Sequence, residues 1–321
     1  MVAVTGAAGL LGRQIVERLL TEGRNVVAIV RDPNVRFPES VIVRNADIMD
    51  PPALATAFEG ATAVIHAAAL VSFNPRRRKE IMDVNVSGTQ NVVNVCLQSE
   101  IKNLIHISSV AALGRKSGEV VTEDHAWTGL YASDYATSKY LAELEVFRGG
   151  EEGLTVGLVN PSVILSGSQP HRSSATLLDY VWKQRPFVTE GKLNYVDVRD
   201  VCDAVVELLK KPQPGERFIL SAGNISYKDF FGMVANHWKK RPPGITIPSS
   251  LVSLFGAAEE VRSFLMGKEP MVTRQSAMMT VRGFNYNNEK AQRMLGLRFH
   301  TIEETVSWCC DQYEQNVSRN K

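Results

Sequence analysis

A tyrosine and a lysine stand four residues apart in the segment YATSK, residues 135–139. On an α-helix Tyr135 and Lys139 would share one face, one turn apart. A free tyrosine has a pKa of roughly 10, and a neighbouring ammonium group favours the phenolate and lowers that pKa. Such a pair can exchange a proton with a carbonyl or hydroxyl group. The same two residues also fit an ordinary amphipathic helix, so the surrounding sequence has to decide.

Two serines at the end of an apolar run supply candidate hydroxyl groups. The segment HISSVAALG, residues 106–114, contains Ser108 and Ser109 where a buried strand would end. A hydroxyl group there can hydrogen-bond a substrate oxygen and stabilise the negative charge that develops on it. The alternative is that both serines form a turn. His66 and His106 also lie at strand ends, and we interpret them as packed histidines rather than catalysts.

Three glycines spaced three apart follow the first apolar run, in VAVTGAAGLLG. Gly6 can make a tight turn, Gly9 allows a phosphate to approach the backbone, and Gly12 allows close packing of helix on strand. The N–H groups of the first helical turn, which includes Leu10 and Leu11, lack helical partners and favour a pyrophosphate. The spacing differs from G-x-G-x-x-G. A helix that merely begins at a glycine-rich turn is therefore the alternative.

The second apolar run ends in VVAIVRDP, which offers two residues that can select a dinucleotide. An acidic residue here binds the ribose 2′-hydroxyl of NAD, whereas an arginine accommodates the 2′-phosphate of NADP. Arg31 follows the apolar run directly, and its guanidinium can pair with a phosphate through two hydrogen bonds. We therefore expect NADP(H) in preference to NAD(H). The alternative is that Arg31 and Asp32 open a surface turn before Pro33.

Short apolar runs alternate with helical patterns through the first half of the chain. Runs rich in Val, Ile, Leu and Ala predict buried strands at Met1–Thr5, Asn25–Val30, Ala63–His66, Leu104–Ser108 and Val156–Val159. Helices are predicted between them, at Leu10–Glu22, Pro52–Phe58, Arg76–Ser99 and Asp134–Phe147. This alternation predicts an α/β fold with a doubly wound parallel sheet of the Rossmann type. The carboxyl ends of the strands, and any ligand, then lie along one edge.

The pattern changes after residue 166. Further helices are predicted at Ser173–Gln184, Tyr227–Lys239 and Ser250–Met266, and Tyr195–Lys211 predicts a strand followed by a helix. We assign 1–166 and 193–222 to a dinucleotide-binding domain, and 167–192 and 223–321 to a smaller, mostly helical substrate-binding region. The substrate pocket has four candidate linings, namely Leu70–Asn74, Tyr131, Leu165–Ser174 and 250–282. The alternative for the apolar residues of 250–282 is the core of the smaller region itself.

Composition excludes several classes of protein. The net charge is +2, from 36 basic and 34 acidic residues, and a nucleic-acid-binding protein would carry a basic stripe instead. No apolar run approaches the roughly 18 residues of a membrane span, and the start lacks the pattern of a signal peptide. The four cysteines fit no metal site and suggest free thiols in a reducing compartment. We therefore expect a cytoplasmic protein that acts on a small molecule.

Several segments, taken in order, resemble the extended short-chain dehydrogenase/reductase superfamily. The matching segments are TGAAGLLG, NADIMD, VIHAAA, NVSGTQNVV, HISSVAALG, YATSK and NPSVILSG. The resemblance covers nearly the whole chain, and its specific part is the first half. Among the branches, the chain is most similar to dihydroflavonol-reductase-like and 3β-hydroxysteroid-dehydrogenase-like enzymes. The resemblance implies a Rossmann-type fold and NAD(P)-dependent oxidoreductase activity.

The resemblance also implies roles for single residues. Ser109, Tyr135 and Lys139 match the catalytic serine, tyrosine and lysine, and Lys139 would also hold the nicotinamide ribose. Contacts to the dinucleotide are implied for Gly6, Gly9, Gly12, Asp47, Ile48, Ala67, Ala68, Ser108, Pro161 and Val163. Of these, Asp47 and Ile48 match the adenine contacts, and Pro161 and Val163 match the loop beside the nicotinamide carboxamide. Asn85 matches an asparagine that steadies the sheet edge.

Three functions remain open within such a family. The first is an NADP(H)-dependent carbonyl reductase or alcohol dehydrogenase for a small, largely apolar substrate. The second is a nucleotide-sugar epimerase or dehydratase with tightly bound NAD, which Arg31 and Leu113 disfavour by comparison with such enzymes. The third is a non-catalytic sensor or scaffold, which the presence of serine, tyrosine and lysine disfavours. Many relatives pair through the helix after Asn85 and the helix that carries Tyr135, so a homodimer is compatible with the sequence.

Overall fold

A seven-stranded parallel sheet forms the centre of the computed structural model, which describes residues 1–116, 118–130, 132–169, 174–248 and 283–319. The order across the sheet is β11-β7-β5-β4-β1-β2-β3, and every neighbouring pair is parallel. The strands are β1 Val2–Thr5, β2 Val26–Val30, β3 Val41–Asn45, β4 Ala63–His66, β5 Asn103–Ile107, β7 Thr155–Pro161 and β11 Glu216–Leu220. The order reverses between β1 and β4. In doubly wound sheets, ligands bind at this reversal, beyond the carboxyl ends of the strands.

Helices cover both faces of the sheet, as the alternating pattern predicts. Their bounds are α1 Leu10–Thr21, α2 Pro51–Phe58, α3 Arg78–Met82, α4 Gly88–Gln98, α5 Asp134–Glu151, α6 Ala175–Trp182, α7 Val198–Lys210, α8 Tyr227–His237, α9 Glu289–Leu295 and α10 Ile302–Arg319. One apolar core joins the sheet to α1, α7 and α9. The other joins its opposite face to α2, α4 and α5. The α/β, doubly wound fold predicted from the sequence is confirmed.

Short strands accompany the helices outside the large sheet. The strand β10 Lys192–Asp197 pairs with β8 Val163–Leu165 and with β12 Gly223–Ser226. Two further pairs are β9 Phe187–Thr189 with β13 Ile245–Ile247, and β6 Val120–Val121 with β14 Asn285–Tyr286. A third core packs α6 and α8 against α10. The strand predicted near Tyr195 therefore lies outside the seven-stranded sheet, and the division into two regions stays a prediction.

Two predicted helices differ from the structure. The predicted helix Arg76–Ser99 is a 3-10 turn over Pro75–Arg77, then α3, a π-helical turn over Asp83–Ser87, and α4. A π-turn inserts an extra residue into the helical ladder and is common at functional sites. The helix predicted to end at Phe147 continues to Glu151, and Gly149 in its added turn packs closely on Val93.

Several predictions fall outside the described residues. They are the helix Ser250–Met266, the pocket segments 250–282 and 170–173, and Tyr131. Across the ranges that the structure does describe, no helix is both long enough and apolar enough to span a membrane. The four cysteines are buried and unbridged.

Candidate active site

The glycine loop turns sharply between β1 and α1. Gly6 has a φ of +66°, a left-handed conformation that favours glycine. A Cβ on Gly6 would lie 2.7 Å from the backbone of Ala68, so the loop touches the segment after β4 directly. A Cβ on Gly12 would lie 2.1 Å from the carbonyl oxygen of Gly6. Gly12 therefore packs closely against the loop that precedes it.

The start of α1 presents backbone donors to this edge of the sheet. Gly9 is the N-cap residue in an extended conformation, and no side chain caps the helix there. Leu10 and Leu11 form the first turn, with Leu10 buried and Leu11 packed on the core below. The exposed N–H groups and the helix dipole favour a bound anion. This cradle, whose backbone a Cβ on Gly6 or Gly12 would displace, fits a dinucleotide pyrophosphate.

The segments after β3 and β4 border the loop. Ala67 donates its N–H to the carbonyl oxygen of Thr5 at 3.3 Å, which brings β1 and β4 together at the edge. Asp47 accepts the N–H of Met49 at 2.9 Å, which fixes the turn after β3. Ile48 is buried against Gly88, where a Cβ would lie 2.6 Å from its side chain. Small residues therefore keep this part of the edge open.

Arg31 lies at the end of β2 and is exposed. Its backbone is fixed because Asn45 Nδ2 donates to its carbonyl oxygen at 2.9 Å. The carboxylate of Asp32 accepts the backbone N–H and the side-chain amide of Asn34, at 2.9 and 3.0 Å. Asp32 is thus engaged in its own turn. A hydrogen bond from Arg77 lowers the pKa of Glu80, and the charge of Arg31 adds to that lowering, so Arg31 lies near α3.

Ser109 and Tyr135 come together from two separate elements. Ser109 precedes the 3-10 turn Val110–Ala112, and its Oγ accepts the N–H of Ala111 at 3.1 Å. Tyr135 lies in the first turn of α5, which Ser133 caps by accepting the N–H of Ala136. Burial raises the pKa of the Tyr135 phenol, and a hydrogen bond with Ser109 partly offsets the rise. Tyr135 is therefore protonated at neutral pH.

Lys139 points from the same helix face toward β5. Its Nζ donates to the carbonyl oxygen of Ile107 at 2.7 Å and lies 3.4 Å from His106 Nε2. Burial lowers the pKa of Lys139 to about 8, and the charge of Glu143 opposes that lowering. The sequence predicted that Lys139 lowers the pKa of Tyr135. The net shift of Tyr135 is upward instead, because burial of the phenol outweighs the favourable contacts.

His66 is a packed histidine, as interpreted from the sequence. Thr89 Oγ1 donates to the carbonyl oxygen of Asn85, so it accepts from His66 Nε2 at 3.0 Å. His66 Nδ1 then accepts the hydroxyl of Thr5 at 2.8 Å. Burial, together with the nearby charge of Lys139, lowers the pKa of His66 to about 3. The ring is therefore neutral and links β1, β4 and α4.

Asn85 connects the loop after β4 to the helix that carries Tyr135. Its side chain accepts the N–H of Leu70 at 2.7 Å and donates to the carbonyl oxygen of Leu70 at 2.9 Å. It also donates to Ser138 Oγ at 2.9 Å. The π-helical turn places Asn85 at this junction. Phe73, further along the same loop, has its ring 5.9 Å from the ring of Tyr135 in an edge contact.

Buried polar atoms without partners mark the edge beyond β5 and β7. Within the described ranges, these atoms include Ser108 Oγ, Asn160 Oδ1, Ser162 Oγ and His106 Nδ1. Buried polar groups in proteins are nearly always hydrogen-bonded, so a bound group is expected to satisfy some of them. Pro161 ends β7, and Val163 is 39% exposed in β8, beside them. The cradle and these atoms together fit an extended ligand with both phosphate and polar ring substituents.

Sequence reasoning missed three contacts at this site. Gln169 Nε2 donates to the carbonyl oxygen of Ala8 at 3.0 Å, so the segment after β8 reaches the glycine loop. Asn160 donates to the carbonyl oxygen of Ser109 and to Glu143. Asn160 lies within the recognised segment NPSVILSG, and Glu143 stands four residues after Lys139. The spacing of Glu143 was the available signal, but a glutamate four residues from a lysine usually indicates a surface pair.

The fold and the glycine loop define a Rossmann-type α/β protein. The model of the NAD dependent epimerase/dehydratase family matches residues 2–221, and the chain belongs to that family. The chain is thereby an NAD(P)-dependent enzyme of the extended short-chain dehydrogenase/reductase type.

Similar proteins include reductases that match over most of their length. The chain is 27% identical over 318 residues to a putative dihydroflavonol 4-reductase from Synechocystis sp., with 95% of this chain and 92% of that protein covered. It is 26% identical to sterol demethylase protein B from Methylococcus capsulatus, with 92% of each covered. The crystal structure of gox2253 superposes with a TM-score of 0.84 at 29% identity, covering 98% of both chains. MoeE5, solved with UDP-glucose and NAD, shares the fold at a TM-score of 0.80 and 22% identity, with 98% of this chain and 99% of that chain covered.

Proposed function

We propose that the protein is an NADP(H)-dependent carbonyl reductase or alcohol dehydrogenase. It would transfer a hydride between nicotinamide and a small, largely apolar ketone, aldehyde or secondary alcohol. The observation that carries this proposal is the approach of the Ser109 and Tyr135 side chains to each other, with the ammonium of Lys139 one helical turn away. These groups lie at the same sheet edge as the glycine loop, where a dinucleotide would bind.

Thirteen residues would hold the dinucleotide along the sheet edge. Gly6, Gly9 and the N–H groups of Leu10 and Leu11 would bind the pyrophosphate, with Gly12 allowing the approach. Ala67 and Ala68 leave room for the adenosine ribose, and Asp47 with Ile48 would contact the adenine. Lys139 has three N–H donors, and Ile107 and His106 engage two of them, so the third can bind the nicotinamide ribose. Ser108, Pro161 and Val163 would lie beside the nicotinamide, which supplies the hydride when bound.

Tyr135 and Ser109 would act on the substrate oxygen. The protonated phenol of Tyr135 donates its proton to the carbonyl oxygen in reduction and takes it back in oxidation. Ser109 donates a hydrogen bond to the same oxygen and stabilises its developing negative charge. The Ala111 N–H fixes the position of Ser109 Oγ and occupies it only as an acceptor, so the hydroxyl keeps its own hydrogen for donation. Phe73 and its loop Leu70–Asn74 would form one wall of the substrate pocket, beside the Tyr135 ring.

Three observations support reduction with NADP(H) over an internal epimerase cycle. Arg31 is exposed at the end of β2, and Asp32 is engaged by Asn34 rather than directed to a ribose. Relatives that match over most of this chain include a putative dihydroflavonol 4-reductase and a tetraketide alpha-pyrone reductase.

The proposal is tested by mixing the protein with NADPH and a panel of aldehydes and ketones. Consumption of NADPH with at least one carbonyl compound is expected, and its absence across the panel would contradict the proposal. Cytoplasmic location and a homodimer accompany this proposal as expectations.

The Arg31→Ala variant is expected to lose NADPH affinity selectively. The guanidinium would pair with the 2′-phosphate, and such a charge-assisted contact contributes about 1.5–3 kcal/mol, or roughly 10- to 100-fold in affinity. NADH lacks this phosphate, so its affinity should change less than about twofold. Arg24→Ala is the matched control, since Arg24 is also exposed but precedes the first residue of β2, at the end of the strand opposite to Arg31. Equal losses for NADPH and NADH, measured by fluorescence titration, would overturn the NADP assignment.

Dinucleotide affinity is expected to fall as the pH rises through about 8. Burial lowers the pKa of Lys139 to about 8, so the ammonium is present below that pH and is lost above it. The charged form favours the anionic ligand, and binding therefore takes up protons in this range. Titrations with NADPH between pH 6.5 and 9.5 test the slope, with Lys139→Met as the comparison. The same slope in Lys139→Met would show that another group is responsible.

A further inference from the structure

A buried chain of polar side chains lies behind Ser109. Asn160, on β7, is fully buried, and its Nδ2 donates to the carbonyl oxygen of Ser109 at 3.0 Å. The same amide nitrogen donates to Glu143 Oε1 at 2.5 Å. Glu143 is 1% exposed on α5. Asn160 therefore bridges the backbone of Ser109 to a carboxylate on the helix that carries Tyr135 and Lys139.

Arg217 fixes this carboxylate from the other side. Arg217 Nη1 donates to Glu143 Oε2 at 3.1 Å, and Nε donates to the carbonyl oxygen of Glu123 at 2.9 Å. Each oxygen of Glu143 thus accepts from a different donor. A buried carboxylate is stable only when it is paired and hydrogen-bonded in this way. The orientation of Glu143 is therefore determined by its partners on β7 and β11.

These hydrogen-bonded side chains link the Ser109 segment to α5 at a second point, beside the reacting groups. Tyr135, Lys139 and Glu143 are spaced four apart on α5 and share one face. Ser109 lies on a different segment, after β5, and its side chain meets the Tyr135 phenol. Through Asn160 and Glu143, the backbone of Ser109 is tied to α5 at a second point two helical turns away. Two such ties fix both the distance and the orientation of a hydroxyl relative to a phenol.

We propose that Glu143 and Asn160 are positioning residues that hold Ser109 against Tyr135 in the productive geometry. This inference rests on the proposed function, because it assigns these residues to the same reaction.

Glu143 has a second effect, on the protonation of Lys139. The groups that face Lys139 are His106 on β5, His66 on β4, and Tyr135 and Glu143 on its own helix. Both histidines are neutral because burial lowers their pKa values, so Glu143 supplies the negative charge that keeps Lys139 protonated.

Two nearly isosteric variants interrupt the chain. Asn160→Asp replaces the donating amide with a carboxylate. This carboxylate would face two other acceptors, the Ser109 carbonyl oxygen and the Glu143 carboxylate. Glu143→Gln offers one acceptor oxygen where Asn160 and Arg217 both donate, so one contact becomes donor against donor. Each variant is expected to lower kcat roughly 10- to 100-fold, because positioning is lost. NADPH affinity should change little in Asn160→Asp, whereas in Glu143→Gln its fall with pH should begin at a lower pH, because Lys139 loses the charge that opposes the lowering of its pKa. Glu123→Gln is the matched control, since it is buried in the same network but still accepts the Ile219 N–H.

A double-mutant cycle distinguishes positioning from general destabilisation. In a Ser109→Ala background there is no serine hydroxyl to position, so Asn160→Asp should lower kcat by less than about threefold further. The same 10- to 100-fold loss in both backgrounds would overturn the proposal, and so would an unchanged kcat in the single variants.

Amide hydrogen exchange gives a readout that needs no substrate. The N–H of Ala111 donates to Ser109 Oγ, so its exchange should accelerate at least about tenfold in Asn160→Asp and Glu143→Gln, but not in Glu123→Gln. Unchanged exchange would overturn the positioning role even in an active protein. Failure of the proposed function is a separate result, since it would appear as an absence of NADPH consumption in the unaltered protein while the exchange effect persists.

Discussion

The Tyr135→Phe variant is expected to lose carbonyl reduction while it still binds NADPH. The substitution removes only the phenolic hydroxyl, which is the proposed proton donor. The ring keeps its edge contact with Phe73, so the helix and the pocket wall should be preserved. Positioned proton donors contribute roughly 10²- to 10⁴-fold to rate, and kcat should fall by that factor.

Tyr140→Phe is the matched control for this variant. Tyr140 lies on the same helix, and its ring stacks on Trp127 with centroids 4.6 Å apart, away from Ser109. The control should keep kcat within about twofold, because the Tyr140 hydroxyl lies outside the site. Loss of this half-buried hydroxyl should lower stability by about 1 kcal/mol at most. Single-turnover measurements with saturating NADPH separate the chemical step from binding. Retained turnover in Tyr135→Phe would remove Tyr135 from the mechanism.

The Gly12→Ala variant is expected to abolish binding of both dinucleotides. A Cβ at this position would lie 2.1 Å from the Gly6 carbonyl oxygen and 2.8 Å from Ala7 Cα, and neither backbone atom can move without displacing the loop. The loop and α1 must separate, which destroys the pyrophosphate cradle. We expect at least a 100-fold loss of affinity and about 1–3 kcal/mol lower stability from overpacking.

Gly232→Ala provides the comparison for this substitution. Gly232 also lies inside a helix, α8, but a Cβ there would meet no atom within 4 Å. Removing a helical glycine should stabilise the protein by about 0.5–1 kcal/mol and leave NADPH binding unchanged. Calorimetric titration and thermal unfolding measure both effects. Normal dinucleotide binding by Gly12→Ala would show that the loop is not the pyrophosphate site.

Most strands in the first half of the fold were predictable because they are buried on both faces, whereas Val41–Asn45, with Ile42 and Val43 exposed, lacks this signal. A strand such as Ala63–His66 is a compact apolar run, and its observed bounds match the prediction. The strand Glu216–Leu220 was not predicted separately, because it lies at the sheet edge and begins with two charged residues. The π-helical turn at Asp83–Ser87 was also missed, since hydrophobic periodicity does not reveal one inserted residue.

The candidate site was predictable in its residues and less so in its electrostatics. The spacing of Tyr135 and Lys139 indicated one helix face, but it did not reveal how deeply the phenol is buried. Burial dominates the pKa of Tyr135 and raises it, whereas the sequence suggested a lowering. The burial of Glu143 depends on Asn160 and Arg217, which are distant in the chain and meet only in the folded sheet.

Isotope transfer from NADPH is the most direct test of hydride transfer to a carbonyl substrate. NADPH carrying deuterium at the hydride position is incubated with the protein and a carbonyl compound that supports consumption, and the product is analysed by mass spectrometry. We predict that the deuterium appears in the product alcohol and that NADP⁺ is released in equal amount. A protein that instead retains tightly bound NAD(H), and returns its substrate or an epimer without deuterium, would contradict it.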